Sequence, residues 1–126
     1  MNLSSEALIA LFHKASDAKQ NSYSPYSKFR VGAALLAKDG RVFTGTNVEN
    51  ASYGGAICAE RSAVVSAVSC GCTEFDAIMI TTDVDDLIAP CGFCRQFMVE
   101  FGTDLVVIKL TEHRSFYQNL VITLKR

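Results

Sequence analysis

The sequence predicts an α/β fold, a three-layer α/β/α sandwich around a mixed five-stranded sheet, and three observations carry that expectation. Two short runs, Phe75 to Ile80 and Leu105 to Leu110, are largely apolar and have the pattern of strands covered on both faces. Stretches with apolar residues at helical spacing lie before and between them. Two further strand-like stretches meet at Lys38-Asp39-Gly40, a hairpin turn.

The elements follow in order. Ser4 and Ser5 can cap a first helix, in which Leu8, Leu11, Phe12 and Ala15 fall at i, i+3, i+4 and i+7. That helix should end near Gln20-Asn21, before the turn-forming Ser22-Tyr23-Ser24-Pro25. Phe29 to Leu36 reads as a strand and Arg41 to Asn47 as its hairpin partner. Val48 to Ile57 reads as loop. From Cys58 the pattern turns helical, with Ala63, Val64, Ala67 and Val68 on one face and Gly71 as the stop. Pro90 ends a loop, Cys91 to Glu100 reads as a helix closed by Gly102, and Phe116 to Leu124 as a last strand. Right-handed crossovers would join the parallel strands.

The 126 residues suit one domain spanning 1–126, and no repeat, low-complexity tract or linker divides them. Apolar residues make up 49% and charged residues 20%, a composition that excludes a disordered chain. Twelve basic against 13 acidic side chains give a net charge of −1, and no basic stripe tracks a nucleic-acid backbone. The longest stretch without a charged side chain, Ser62 to Thr73, has 12 residues, whereas a membrane-spanning helix needs roughly 20. The opening Met1-Asn2-Leu3-Ser4-Ser5-Glu6 lacks the pattern of a signal peptide, so a cytoplasmic location is expected. Five cysteines, an odd number, then favour thiols used as ligands or nucleophiles over a disulfide framework.

The chemistry concentrates in Cys58-Ala59-Glu60 and Pro90-Cys91-Gly92-Phe93-Cys94. Three thiolates suit zinc, and three protein ligands leave the fourth tetrahedral position for water, as in a catalytic site. Both cysteine segments open a helix, where free N–H groups and the positive dipole end favour thiolate over thiol. Glu60, two residues past Cys58, is placed to sit beside the metal without binding it and to move protons. Arg61 is placed to offset the negative charge that three thiolates leave on zinc. Taken alone, Cys91-x-x-Cys94 also fits a redox dithiol or half of a structural zinc site. Cys70 and Cys72 read as packed or spare thiols, and His13 and His113 as solvated surface residues.

A thiol, then x-Glu, then Pro-Cys-x-x-Cys is the known signature of the zinc nucleobase deaminases. The chain resembles one branch of them, the small single-domain cytidine deaminases. The resemblance runs through Tyr23-Ser24-Pro25-Tyr26-Ser27-Lys28-Phe29, Val31-Gly32-Ala33-Ala34-Leu35 and Asn47-Val48-Glu49-Asn50-Ala51-Ser52-Tyr53-Gly54. It continues through Cys58-Ala59-Glu60-Arg61-Ser62-Ala63 to Pro90-Cys91-Gly92-Phe93-Cys94-Arg95-Gln96, covering the chain from near Asn21 to about Leu110.

The resemblance implies one zinc ion per subunit on Cys58, Cys91 and Cys94, with Glu60 as the proton shuttle. It implies that Asn47 and Glu49 hold the ribose 3′-hydroxyl, that Phe29 lies against the pyrimidine, and that the backbone around Ala59 reads its carbonyl edge. It further implies a homotetramer with sites at subunit contacts, Tyr53 reaching a neighbour's site. The expected activity is hydrolytic deamination of cytidine and deoxycytidine to uridine and deoxyuridine with release of ammonia, in pyrimidine salvage. One departure stands out. A Leu-Leu-Pro-x-x-Phe segment that closes over the substrate in such proteins is missing at Leu124-Lys125-Arg126, and Phe116 comes too early to replace it. Two alternatives stay open at this point: a related deaminase acting on a modified nucleoside, an antibiotic or RNA, or a zinc-stabilised oligomeric module with weakened catalysis.

Overall fold

Ser4 starts the first helix, its hydroxyl accepting the Ala7 N–H at 3.1 Å, and α1 then spans Ser5–Lys19. The structure is a computed structural model and describes residues 3–84, 91–102, 104–111 and 118–123. After α1 come β1 (Val31–Ala37), β2 (Val42–Thr46), a 3-10 turn (Tyr53–Gly55), α2 (Ala59–Ser69), β3 (Phe75–Thr82), α3 (Gly92–Val99), β4 (Val106–Thr111) and β5 (Gln118–Thr123). The strands form one sheet in the order β2-β1-β3-β4-β5, with β3 and β4 parallel and the other neighbours antiparallel. Among the described residues no helix is long and apolar enough to cross a membrane.

Alternation along the central strands builds two cores, one on each face of the sheet. Leu11, Phe12 and Ala15 of α1 pack with Ala34, Met79 and Ile108. On the other face Ala33, Leu35, Ile78, Ile80 and Val107 pack with Ala63, Val64 and Ala67 of α2 and with Cys94, Met98 and Val99 of α3. The sandwich expected from the sequence is the architecture observed. Gly71 sits just past α2 with φ +81°, its N–H and that of Cys72 returning to Val68 and Ala67, so it closes the helix as its position suggested. The loop reading of Val48 to Ile57 misses a β-bridge between those two residues and the 3-10 turn they enclose. Pro90, His113, Phe116 and Leu124-Lys125-Arg126 lie outside the described residues.

The first strand begins at Val31 rather than Phe29, for a physical reason. Side chains have taken the backbone groups ahead of it: Phe29 N–H donates to Ser27 Oγ, Phe29 C=O accepts from Asn47 Nδ2, and Arg30 N–H donates to Asp83. Lys28 just before them has φ +60°. Phe29 thus stands on irregular backbone ahead of the strand.

Two glycines let the helices lie close to the sheet. A Cβ on Gly32 would fall 1.9 Å from Ala15 C=O in α1, and one on Gly45 would fall 2.4 Å from Ala63 N and 2.6 Å from Ala59 C=O in α2. Those contacts involve backbone, which cannot swing aside. Gly45→Ala should therefore destabilise the protein by about 1–3 kcal/mol through overpacking, read as a lower urea midpoint at unchanged slope.

Asp83 ties three elements together beside the site. It accepts from Arg30 at 2.8 Å and pairs with buried Lys19 at 3.3 Å, joining the entry to β1, the end of α1 and the end of β3. The Arg30 hydrogen bond, then Lys19, holds its carboxyl below its ordinary 3.8. A depressed acid stabilises the fold above its unfolded pKa and loses that contribution as pH falls through the folded value. Asp83→Asn should cost about 1–2 kcal/mol at neutral pH. The gap to the wild type should close below pH ~4 in denaturation series.

Candidate active site

The N-termini of α2 and α3 meet over the same sheet face, and each is capped by a cysteine. Cys58 caps α2, and Cys91 caps α3 with its sulfur accepting the Cys94 N–H at 3.4 Å. Cys94, in the first turn of α3, is fully buried beneath them. The sulfurs of Cys58 and Cys91 are 3.9 Å apart, those of Cys91 and Cys94 3.3 Å, and all three lie within 4.8 Å of one another. Cys70 is exposed, and Cys72 is packed against the α2 face of the core, so neither belongs to this cluster.

The charges around the sulfurs are unequal. Hydrogen bonding from Cys94 and then Arg61 and Cys91, working against burial, pulls the Cys58 thiol down to about 5. Cys94 moves the other way, because it hydrogen-bonds Cys58 and is buried beside Glu60. Cys58 is thus a readier thiolate than Cys94. Arg61 supports it, donating through Nη2 to Cys58 Sγ at 3.7 Å and to Ala56 C=O at 3.4 Å. Its Nε is buried with no partner among the described residues.

A cavity of about 270 Å³ opens over the cluster. Cys58, Cys91, Ala59, Glu60, Phe29, Asn47 and Glu49 all line it, so the structure brings together most of the residues singled out in the sequence. Glu60 is only 5% exposed, and its burial is the chief reason its carboxyl titrates above the ordinary value. Tyr53 does not line this cavity. It is 80% exposed and borders a neighbouring hollow with Tyr26, Ser27 and Asn50, to which Glu49 also contributes.

Asn47 and Glu49 carry structural duties as well. Asn47 Nδ2 donates to Phe29 C=O at 2.8 Å, while its Oδ1 accepts from Val31 N–H at 2.9 Å and from Ser22 Oγ at 2.5 Å. One amide hydrogen remains for a ligand. Glu49 accepts the Tyr26 and Ser27 N–H groups at 3.0 and 3.1 Å and the Ser27 hydroxyl. The Ser27 hydroxyl contact leads the effects holding Glu49 below its ordinary value, so it is a carboxylate at neutral pH. Together the two residues set the backbone that presents Phe29 to the cavity.

Residues 5–110 match the family described as "Cytidine and deoxycytidylate deaminase zinc-binding region". The chain belongs to this deaminase family. It is 47% identical over 118 residues to a Dictyostelium discoideum protein named "Probable cytidine deaminase", covering 93% of this chain and 80% of that one. A cytidine deaminase of Sporosarcina psychrophila is 44% identical over 106 residues, 84% of this chain and 76% of the relative. Among solved structures, the cytidine deaminase from Burkholderia pseudomallei aligns with TM-score 0.83 and 44% identity over 97% of this chain and 94% of that one.

Zinc is the cofactor of a deaminase of this family, and the sulfur triad fits it. Three bonds of about 2.3 Å in a tetrahedron set sulfurs roughly 3.8 Å apart, in the range observed between these cysteines. Six lining residues of the deaminase cavity were not named as site residues from the sequence, and the charged one among them is Lys109, on β4. The available signal was a lone charge inside a run read as buried on both faces.

Asn47→Ala would strip partners from the Val31 N–H and Phe29 C=O. It should lower stability by about 1–3 kcal/mol, measurable by thermal or urea unfolding of the zinc-loaded deaminase with no nucleoside present.

Proposed function

We propose that this chain converts cytidine and deoxycytidine to uridine and deoxyuridine with release of ammonia, as part of pyrimidine salvage. The observation that carries this is the placement of a buried carboxylate, Glu60, on the wall of the same cavity as the three sulfurs. In this proposal Cys58, Cys91 and Cys94 hold one zinc ion per subunit, which when bound supplies the Lewis acidity that makes water a nucleophile near neutral pH.

The chain's own residues do the rest. Glu60 accepts a proton from the water that attacks C4 and delivers it to N3 of the base, where it stays in the product. It then carries the water's second proton to the departing amine, so that water and cytidine leave as uridine and ammonia. A raised carboxyl pKa suits a group that must both take and give a proton. Phe29 covers the ring, the remaining N–H of Asn47 and the carboxylate of Glu49 bind the ribose 3′-hydroxyl, and the Ala59 N–H at the start of α2 meets the carbonyl edge. Arg61 offsets the charge of the thiolates through Cys58.

We further propose that the active form is a cytoplasmic homotetramer in which Tyr53 extends into a neighbour's site. The exposure of Tyr53 and Phe93, 80% each, supports an assembly that covers them.

Ultraviolet detection of cytidine conversion by zinc-loaded protein tests the reaction. Glu60→Gln keeps the shape and the three sulfurs but not the proton transfer. It should retain its zinc and lose a factor of about 10²–10⁴ in turnover. A zinc-loaded Glu60→Gln protein as active as the wild type would remove Glu60 from the mechanism.

A further inference from the structure

Lys109 is a buried lysine in an apolar strand, 5% exposed, and it lines the deaminase cavity. Its face is fixed by alternation: Leu105 and Val107 belong to the core against α2 and α3, whereas Ile108 and Leu110 belong to the core on the opposite face. It stands in register with Ile80 of β3, also on the α2 side. Its side chain therefore rises from the sheet toward the ends of α2 and α3. Among the described residues no hydrogen bond or ion pair satisfies it, and the charges that act on it are those of Glu60 and Cys94. Most of the side chain is buried, but the ammonium is not among the sealed-off unpartnered atoms and opens on the cavity, so its N–H donors point to a ligand acceptor there.

Resting on the deaminase proposal above, we propose that Lys109 is a specificity-determining residue whose ammonium donates a hydrogen bond to the 2-oxo group of the pyrimidine. An ammonium has donors only. It cannot meet the 4-amino group, itself a donor, and N3 is the site to which Glu60 delivers its proton. The 2-oxo oxygen is the ring acceptor that persists from substrate to product. It has two lone pairs, one for the Ala59 N–H and one for Lys109.

Equilibrium binding of uridine and 2-thiouridine to zinc-loaded protein tests this without turnover. Sulfur is the weaker acceptor for an ammonium, so the wild type should prefer uridine. Lys109→Met, close in shape and uncharged, should bind uridine about 10- to 100-fold more weakly and lose most of the preference. Its melting temperature should stay level or rise, because a buried charge has gone. Lys109→Gln, a neutral donor, should fall between the two and serves where the Met variant is not recovered. A preference for uridine equal in wild type and variant overturns the assignment, and so does a wild type that binds no uridine. A loss of binding that accompanies a fall in melting temperature at unchanged preference also overturns it. Cytidine turnover by the wild type is assayed alongside: its absence fails the deaminase proposal, while the binding ratio still decides Lys109.

Discussion

The contact of α2 with the sheet fixes where Cys58 and Glu60 stand, and the missing Cβ of Gly45 makes that contact possible. Small residues, Ala59, Ala63 and Ala67, line the buried side of the helix and let its backbone approach β1 and β2. With α2 held there, its first turn projects over the C-terminal end of β3, where α3 also begins. Two helix N-termini aimed at one point place three sulfurs within a few ångströms, and their N–H groups and dipoles favour thiolate at that point. The site is thus a consequence of how closely α2 packs on the sheet beneath it.

A concentration of negative charge in a buried place needs compensation, and the structure supplies it from several directions. Arg61 reaches Cys58 from within α2. The Cys94 N–H reaches Cys91 from within α3. Lys109 comes from the sheet below and faces the Glu60 charge. A counter-charge from a separate strand is independent of the cysteines' own helices, so it can act on what occupies the cavity as well as on the sulfurs.

Layer order, the strands, the helix starts and the sulfur cluster were legible because local rules control them. Ser4 caps α1, Gly71 stops α2, and the apolar β3 and β4 lie at the sheet centre. Motif order then brought Cys58, Glu60, Cys91 and Cys94 into one expectation. Illegible features were those in which side chains replace backbone pairing. Asn47 and Ser27 take the polar groups of Phe29 and Val31, which moves the start of β1 by two residues and shapes the rim of the cavity. No periodicity encodes such a substitution. Lys109 was illegible in role, though not in oddity, because which cavity a strand residue faces depends on register with a partner 29 positions away.

The position of Lys109 also bears on why the floor of the cavity is not wholly apolar. A Leu or Met there would complete the core that Leu105 and Val107 begin, at no desolvation cost. Beyond offsetting the Glu60 charge, the lysine makes the empty cavity more polar and leaves N–H donors that gain when something in the cavity accepts their hydrogen bonds. A pyrimidine brings such an acceptor and covers the ammonium from water at the same time, strengthening the interaction as the local dielectric falls. The same group would disfavour a ligand that presents a donor or a methyl in that place, since the buried ammonium would then stay unpaired. Stability given up at Lys109 becomes discrimination among ligands, and both effects arise from one charge held under two helix ends.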